Sequence, residues 1–61
     1  MKEIPDLSTD AGIQEALLYL GYGDGLVMNN VRLFQASHSL KVDGIVGLKT
    51  REAILKDLEE N

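Results

Sequence analysis

Apolar residues recur at helical spacing in three stretches of this chain, separated by breaks that carry glycine. Ile13, Ala16, Leu17 and Leu20 fall at i, i+3, i+4 and i+7, a stripe along one face of a 3.6-residue helix. Val27, Val31, Phe34 and His38 form a second stripe with Leu33 on its flank, and Thr50, Ala53, Ile54 and Leu58 form a third. Pro5 disfavours helix at Ile4, and Ser8, Thr9 and Asp10 supply capping side chains, so the first helix is expected to start there. It should stop at Gly21, because glycine accepts a left-handed helix terminus. Gly12 lies in its first turn and is expected to weaken it by about 1 kcal/mol relative to alanine. Asp24 is placed to cap a second helix from about Leu26 to Ser37, in which Phe34, the only phenylalanine, should centre the core.

Between Ser39 and Gly47 the helical period is lost. Leu40, Val42, Ile45 and Val46 are apolar, and Asp43-Gly44 is a turn signal. Arms of about three residues are too short for an independent sheet, so an irregular apolar connector laid across the helices is expected. Asp43 can bond N–H groups in its own turn, Gly44 and Gly47 supply backbone freedom, and Thr50 can bond near the start of the third helix. These four read as a folding device. The pattern predicts an all-α fold, a small three-helix orthogonal bundle, with residues 1–8 as a lead-in, 9–58 as the domain and 59–61 as a frayed tail.

Composition narrows the function classes. A chain of 61 residues holds one domain, and without cysteine its apolar core must stabilise it unaided by a disulfide or thiolate metal site. The 44% hydrophobic and 26% charged content is that of a folded domain. A net charge of −4 opposes the electrostatic term behind nucleic-acid and anionic-membrane binding. It also counts against a DNA-binding helix-turn-helix, for which the second connector is too long. Met1 to Asp10 has no signal-peptide run and no stretch reaches membrane-spanning length, so the chain reads as soluble, either never exported by a cleaved signal or cut from a longer exported protein.

Catalytic chemistry is not visible. His38 is the lone histidine, its neighbours Ser37 and Ser39 point in other directions, and the carboxylates Glu15, Asp24, Asp43 and Glu52 have capping or solvent-face explanations. Neither a metal nor a cofactor is expected. Gly21, Gly23 and Gly25 alternate without the strand or Lys-Ser/Thr ending of a phosphate loop. Tyr22 and Gln35 place hydrogen-bonding groups beside apolar positions, and Arg32, Lys41, Lys49 and Arg51 could meet carboxylates of a ligand.

Ile13-Gln14, Leu17 and Leu20-Gly21-Tyr22, followed by Val31, Phe34-Gln35, Leu40, Val42-Asp43-Gly44, Gly47 and Thr50, form a pattern from Gln14 to Ile54. It resembles the peptidoglycan-binding domain family found beside cell-wall hydrolases and phage endolysins and, in related form, in the propeptides of matrix metalloproteases. Two departures are visible. The family often repeats its Asp-Gly element before the second helix, whereas here the first loop is shorter, and Leu48 stands where the family often has proline. The resemblance implies a non-catalytic, monomeric domain that binds peptidoglycan glycan or stem peptide and targets an attached or partner cell-wall hydrolase. Tyr22, Arg32, Gln35, His38, Lys41 and Arg51 are the candidate contacts. Its implied place is the cell wall or periplasm if exported, or the cytoplasm before release if phage-encoded. The alternative is a protein-interaction or structural module on the same fold.

Overall fold

Thr9 begins the first helix from an extended backbone, φ −119° and ψ 152°, with its hydroxyl accepting the Gly12 N–H at 3.0 Å. The computed structural model describes residues 3–23 and 27–60, and in it the chain forms α1 (Asp10–Tyr19), α2 (Val27–Ser37) and α3 (Leu48–Glu60). No strand occurs among the described residues. The expected cap at Asp24, helix start at Leu26 and fraying of Asn61 lie outside them. Glu59 and Glu60, expected to fray, continue α3.

The lead-in is tied down before α1 starts. The Asp6 carboxylate accepts the Ser8 N–H at 3.0 Å and the Ser8 hydroxyl at 2.5 Å, while the Asp6 carbonyl accepts from the Thr9 hydroxyl at 3.1 Å. Gly12 packs beneath this turn, and a Cβ there would run into the Asp6 carbonyl. Glycine at position 12 is therefore a packing requirement for docking the lead-in, which explains why the helix carries a residue of low intrinsic propensity there.

Helices α1 and α2 end in the same way. Tyr22 N–H bonds the Leu17 carbonyl at 2.7 Å and Gly21 N–H that of Leu18 at 3.1 Å; Leu40 N–H bonds the Gln35 carbonyl at 2.9 Å and Ser39 N–H that of Ala36 at 3.3 Å. Both are Schellman motifs, with the residue after the C-cap in the left-handed region. Gly21 takes φ 97° and Ser39 takes φ 57°. Each reversal turns the next side chain, Tyr22 or Leu40, back against the core.

That core comprises Ile13, Ala16 and Leu17 from α1, Val31 and Phe34 from α2, and Ile54 and Leu58 from α3. Burying each of the larger aliphatic or aromatic side chains contributes about 1.5–3 kcal/mol. Leu7, Leu20, Tyr22, Leu40, Val46 and Ala53 pack around it. The connector lies only partly across the helices. Leu40 and Val46 reach the core at its two ends, but Val42 and Ile45 point outward, 53% and 66% exposed. The polar turn between them is held by a side chain from α2 and leaves these two residues no inward direction.

Candidate ligand-binding site

That side chain is Gln35. It is 1% exposed, and both ends of its carboxamide are engaged. Oε1 accepts the backbone N–H groups of Asp43 at 3.1 Å and Gly44 at 3.0 Å. Nε2 faces the Asp43 carboxylate at 3.0 Å, the Ile45 carbonyl at 3.0 Å and the Thr50 hydroxyl at 3.1 Å. The Ile45 N–H completes the turn by donating to the Asp43 carboxylate at 2.9 Å. One residue of α2 thus ties the turn to the start of α3. These bonds also hold the Asp43 carboxyl below the usual carboxylate range, chiefly through the Ile45 N–H and next through the Gln35 amide. Both ends of the Gln35 carboxamide are therefore engaged within the fold.

His38 is occupied as well. Its Nδ1 lies 2.9 Å from the Phe34 carbonyl, its Nε2 lies 2.6 Å from Asp57 Oδ2, and its ring stacks on Phe34 with centroids 3.9 Å apart. The residue fastens α2 to α3. Tyr22 is half-buried, edge-on to Phe34 at 5.5 Å, so its ring belongs to the core margin.

The remaining motif residues divide. Gly44 has φ 73°, a backbone conformation that favours glycine, and a Cβ there would press on the Arg32 and Met28 side chains at 3.0 Å and 3.1 Å. Gly47 has neither constraint: it is absent from the left-handed region, and a Cβ would meet nothing within 4 Å. Its carbonyl accepts the Arg51 N–H at 3.0 Å, which makes it the N-cap of α3. Leu48 then occupies the first helical position, where a proline's missing N–H would do no harm.

Arg32, Lys41, Lys49 and Arg51 are exposed and form no ion pair among the described residues, where His38 and Asp57 make the only such contact. They do not share one face. Arg51 borders a groove of about 290 Å³ floored by Leu7, Ile13, Val31 and Val46 and rimmed by Ser8, Thr9, Asp10, Met28 and Gly44. Its charge also helps to lower the Asp6 carboxyl, after the dominant bonds from the Ser8 hydroxyl and N–H. Arg32 passes close to Gly44. Lys41 and Lys49 border a second hollow of about 440 Å³ with Leu40, Ile45 and Leu48. Ile45 and Leu48, 66% and 69% exposed, are the two most exposed large hydrophobics described.

No group of three or more metal-ligating side chains occurs among the described residues. What the arrangement offers is shallow recognition: an apolar floor with a guanidinium and a carboxylate on its rim.

The turn that Gln35 organises, with Phe34-Gln35, Asp43-Gly44 and Thr50 in their places, lies inside the segment, residues 11–54, matched by the peptidoglycan binding domain family. The chain belongs to that family. The match covers most of the chain, and the three-helix, strand-free fold of the described residues agrees with it. No curated protein and no solved structure matches significantly. As a member, the chain carries a binding domain rather than a catalytic one, with peptidoglycan as the ligand that the family suggests.

One buried polar residue escapes the sequence reading. Asn30 is wholly buried, and neither its Nδ2 nor its Oδ1 has a partner among the described residues. Its signal was helical phase: Asn30 stands one residue before Val31 and four before Phe34, on the inward face.

Proposed function

We propose that this domain recognises bacterial peptidoglycan without catalysis and holds an attached or partner cell-wall enzyme at high local concentration on its substrate. The family match over residues 11–54 carries the reading. The groove bordered by Arg51 supports it, because an apolar floor with a few polar groups at its edge is the usual form of a small-ligand site. Glycan and stem peptide are the two ligand parts in view, and the cell wall or periplasm is the corresponding place of action. Pelleting with purified, teichoic-acid-free sacculi tests the proposal directly. The domain is expected to sediment with the wall material well above an unrelated acidic domain of similar size; equal sedimentation would remove the reading.

A second reading, a protein-interaction module, is favoured by the hollow that carries exposed Ile45 and Leu48. It expects Leu48→Ser to weaken capture of a partner polypeptide and to leave sedimentation with sacculi unchanged.

A further inference from the structure

Two features of the Arg51 groove separate the parts of a peptidoglycan ligand. The first is the absence of an aromatic platform. Saccharide rings are commonly held against the faces of aromatic side chains, yet no aromatic residue lines this groove. Phe34 is fully buried, and Tyr22 is turned edge-on against it. The second is charge. Arg51 and Asp10 put one cation and one anion on the same rim, and Arg51 has no ion-pair partner among the described residues.

A guanidinium is matched to a carboxylate by geometry as well as sign, because its N–H groups can meet both oxygens. The aliphatic floor of Leu7, Ile13, Val31 and Val46 suits short alkyl side chains.

We infer that the groove takes the stem peptide rather than the glycan strand, with the peptide's terminal carboxylate on Arg51 and a ligand amine toward Asp10. This deepens the peptidoglycan reading and rests on it. The floor is then a specificity element for small alkyl side chains, and the wall polymer is held by its peptide branches.

The test is a pair of titrations of the uniformly ¹⁵N-labelled domain, one with L-Ala–γ-D-Glu–L-Lys–D-Ala–D-Ala and one with chitotetraose. The peptide is expected to shift the resonances of Ile13, Gly44, Val46 and the Arg51 side chain, and the sugar to leave them in place. Arg51→Gln, with its spectrum checked for unchanged dispersion, should weaken the peptide about tenfold, the effect of one charge-assisted hydrogen bond. Amidating the peptide's C-terminus should do the same, whereas Lys41→Gln, at the other hollow, should not. Shifts of the groove by chitotetraose, or peptide binding indifferent to both Arg51→Gln and amidation, would overturn the inference. So would a silent peptide titration from a domain that still pellets with sacculi, which leaves the wider reading intact. Failure of pelleting and of both titrations would remove the two together.

Discussion

Asn30 and Gln35 stand little more than a turn apart on α2, carry the same carboxamide and are equally shut off from water, at 0% and 1% exposure. Their surroundings differ completely. Gln35 reaches two backbone N–H groups, a carbonyl, a carboxylate and a hydroxyl, and so draws the Asp43-Gly44 turn and the start of α3 onto α2. Asn30 meets no partner among the described residues at either end. A buried amide without hydrogen bonds costs about 1–3 kcal/mol in protein contexts, whereas a satisfied one contributes a net stabilisation. The same functional group is an organising element at one position and a liability at the other, and what decides is whether the following connector bends back to meet it.

The most severe way to break this contrast is Gln35→Leu. The substitution strands the Gly44 N–H, leaves the Asp43 N–H and the Ile45 carbonyl with only their contacts to the Lys41 carbonyl and the Gly47 N–H, and severs the tie to Thr50, so a loss of about 3–5 kcal/mol is expected. That equals the whole margin a single core of this size supplies, and the variant should show no cooperative thermal transition by circular dichroism. A variant that unfolds cooperatively at the wild-type temperature would mean the turn stands without Gln35. Asn30→Leu, nearly isosteric, should act in the opposite direction and raise stability by about 1–2 kcal/mol in urea unfolding. Destabilisation there would reveal a partner for Asn30 and collapse the distinction.

The two helix ends sharpen the comparison on a smaller scale. Both α1 and α2 close with a Schellman motif, but Gly21 fills the left-handed position of the first and Ser39, at φ 57°, that of the second. A side chain there strains the backbone by roughly 1 kcal/mol. Ser39→Gly should therefore stabilise the better-bonded connector by about 0.5–1 kcal/mol, read as a higher urea midpoint at unchanged slope. No gain would show that the Gln35 network already absorbs the strain.

How far the sequence revealed this follows from the kind of signal each feature leaves. Three apolar stripes at helical spacing located the helices and nearly every core residue, because burial of a helix face imposes its period on the residues that compose it. The same logic, limited to apolar letters, passed over Asn30 and assigned Gln35 to a ligand, although both share the phase of Val31 and Phe34. A buried polar side chain is distinguishable from a surface one only when its partners are known, and those of Gln35 lie eight to fifteen positions away. His38 was legible as a helix-end residue but not as a tie to Asp57, nineteen positions on. Of the expected contacts, Arg51 borders the groove, Arg32 lies against Gly44 beside it and Lys41 borders the other hollow, while the side chains of Tyr22, Gln35 and His38 make contacts within the fold.

Acid titration isolates the finest part of the contrast. Gln35 helps to hold the Asp43 carboxyl below its ordinary range, second to the Ile45 N–H, and Asp6 is lowered in a similar turn by Ser8. A carboxyl depressed in the folded state contributes stability that is fully present above its unfolded pKa and is lost as pH falls through the folded value. Stability should therefore decline on the acid side of about pH 4, the ordinary carboxylate range. Asn at position 43 keeps an acceptor for both Ile45 and Gln35 while removing the titration. Asp43→Asn should accordingly fold, bind as the parent does and show a shallower acid limb, with the contribution of Asp6 still in place. Urea midpoints measured at several pH values between neutrality and strong acid read this out. If the two proteins had parallel acid limbs, the Gln35-bound turn would carry no proton-linked stability, and its advantage over the Asn30 site would lie in neutral hydrogen bonds alone.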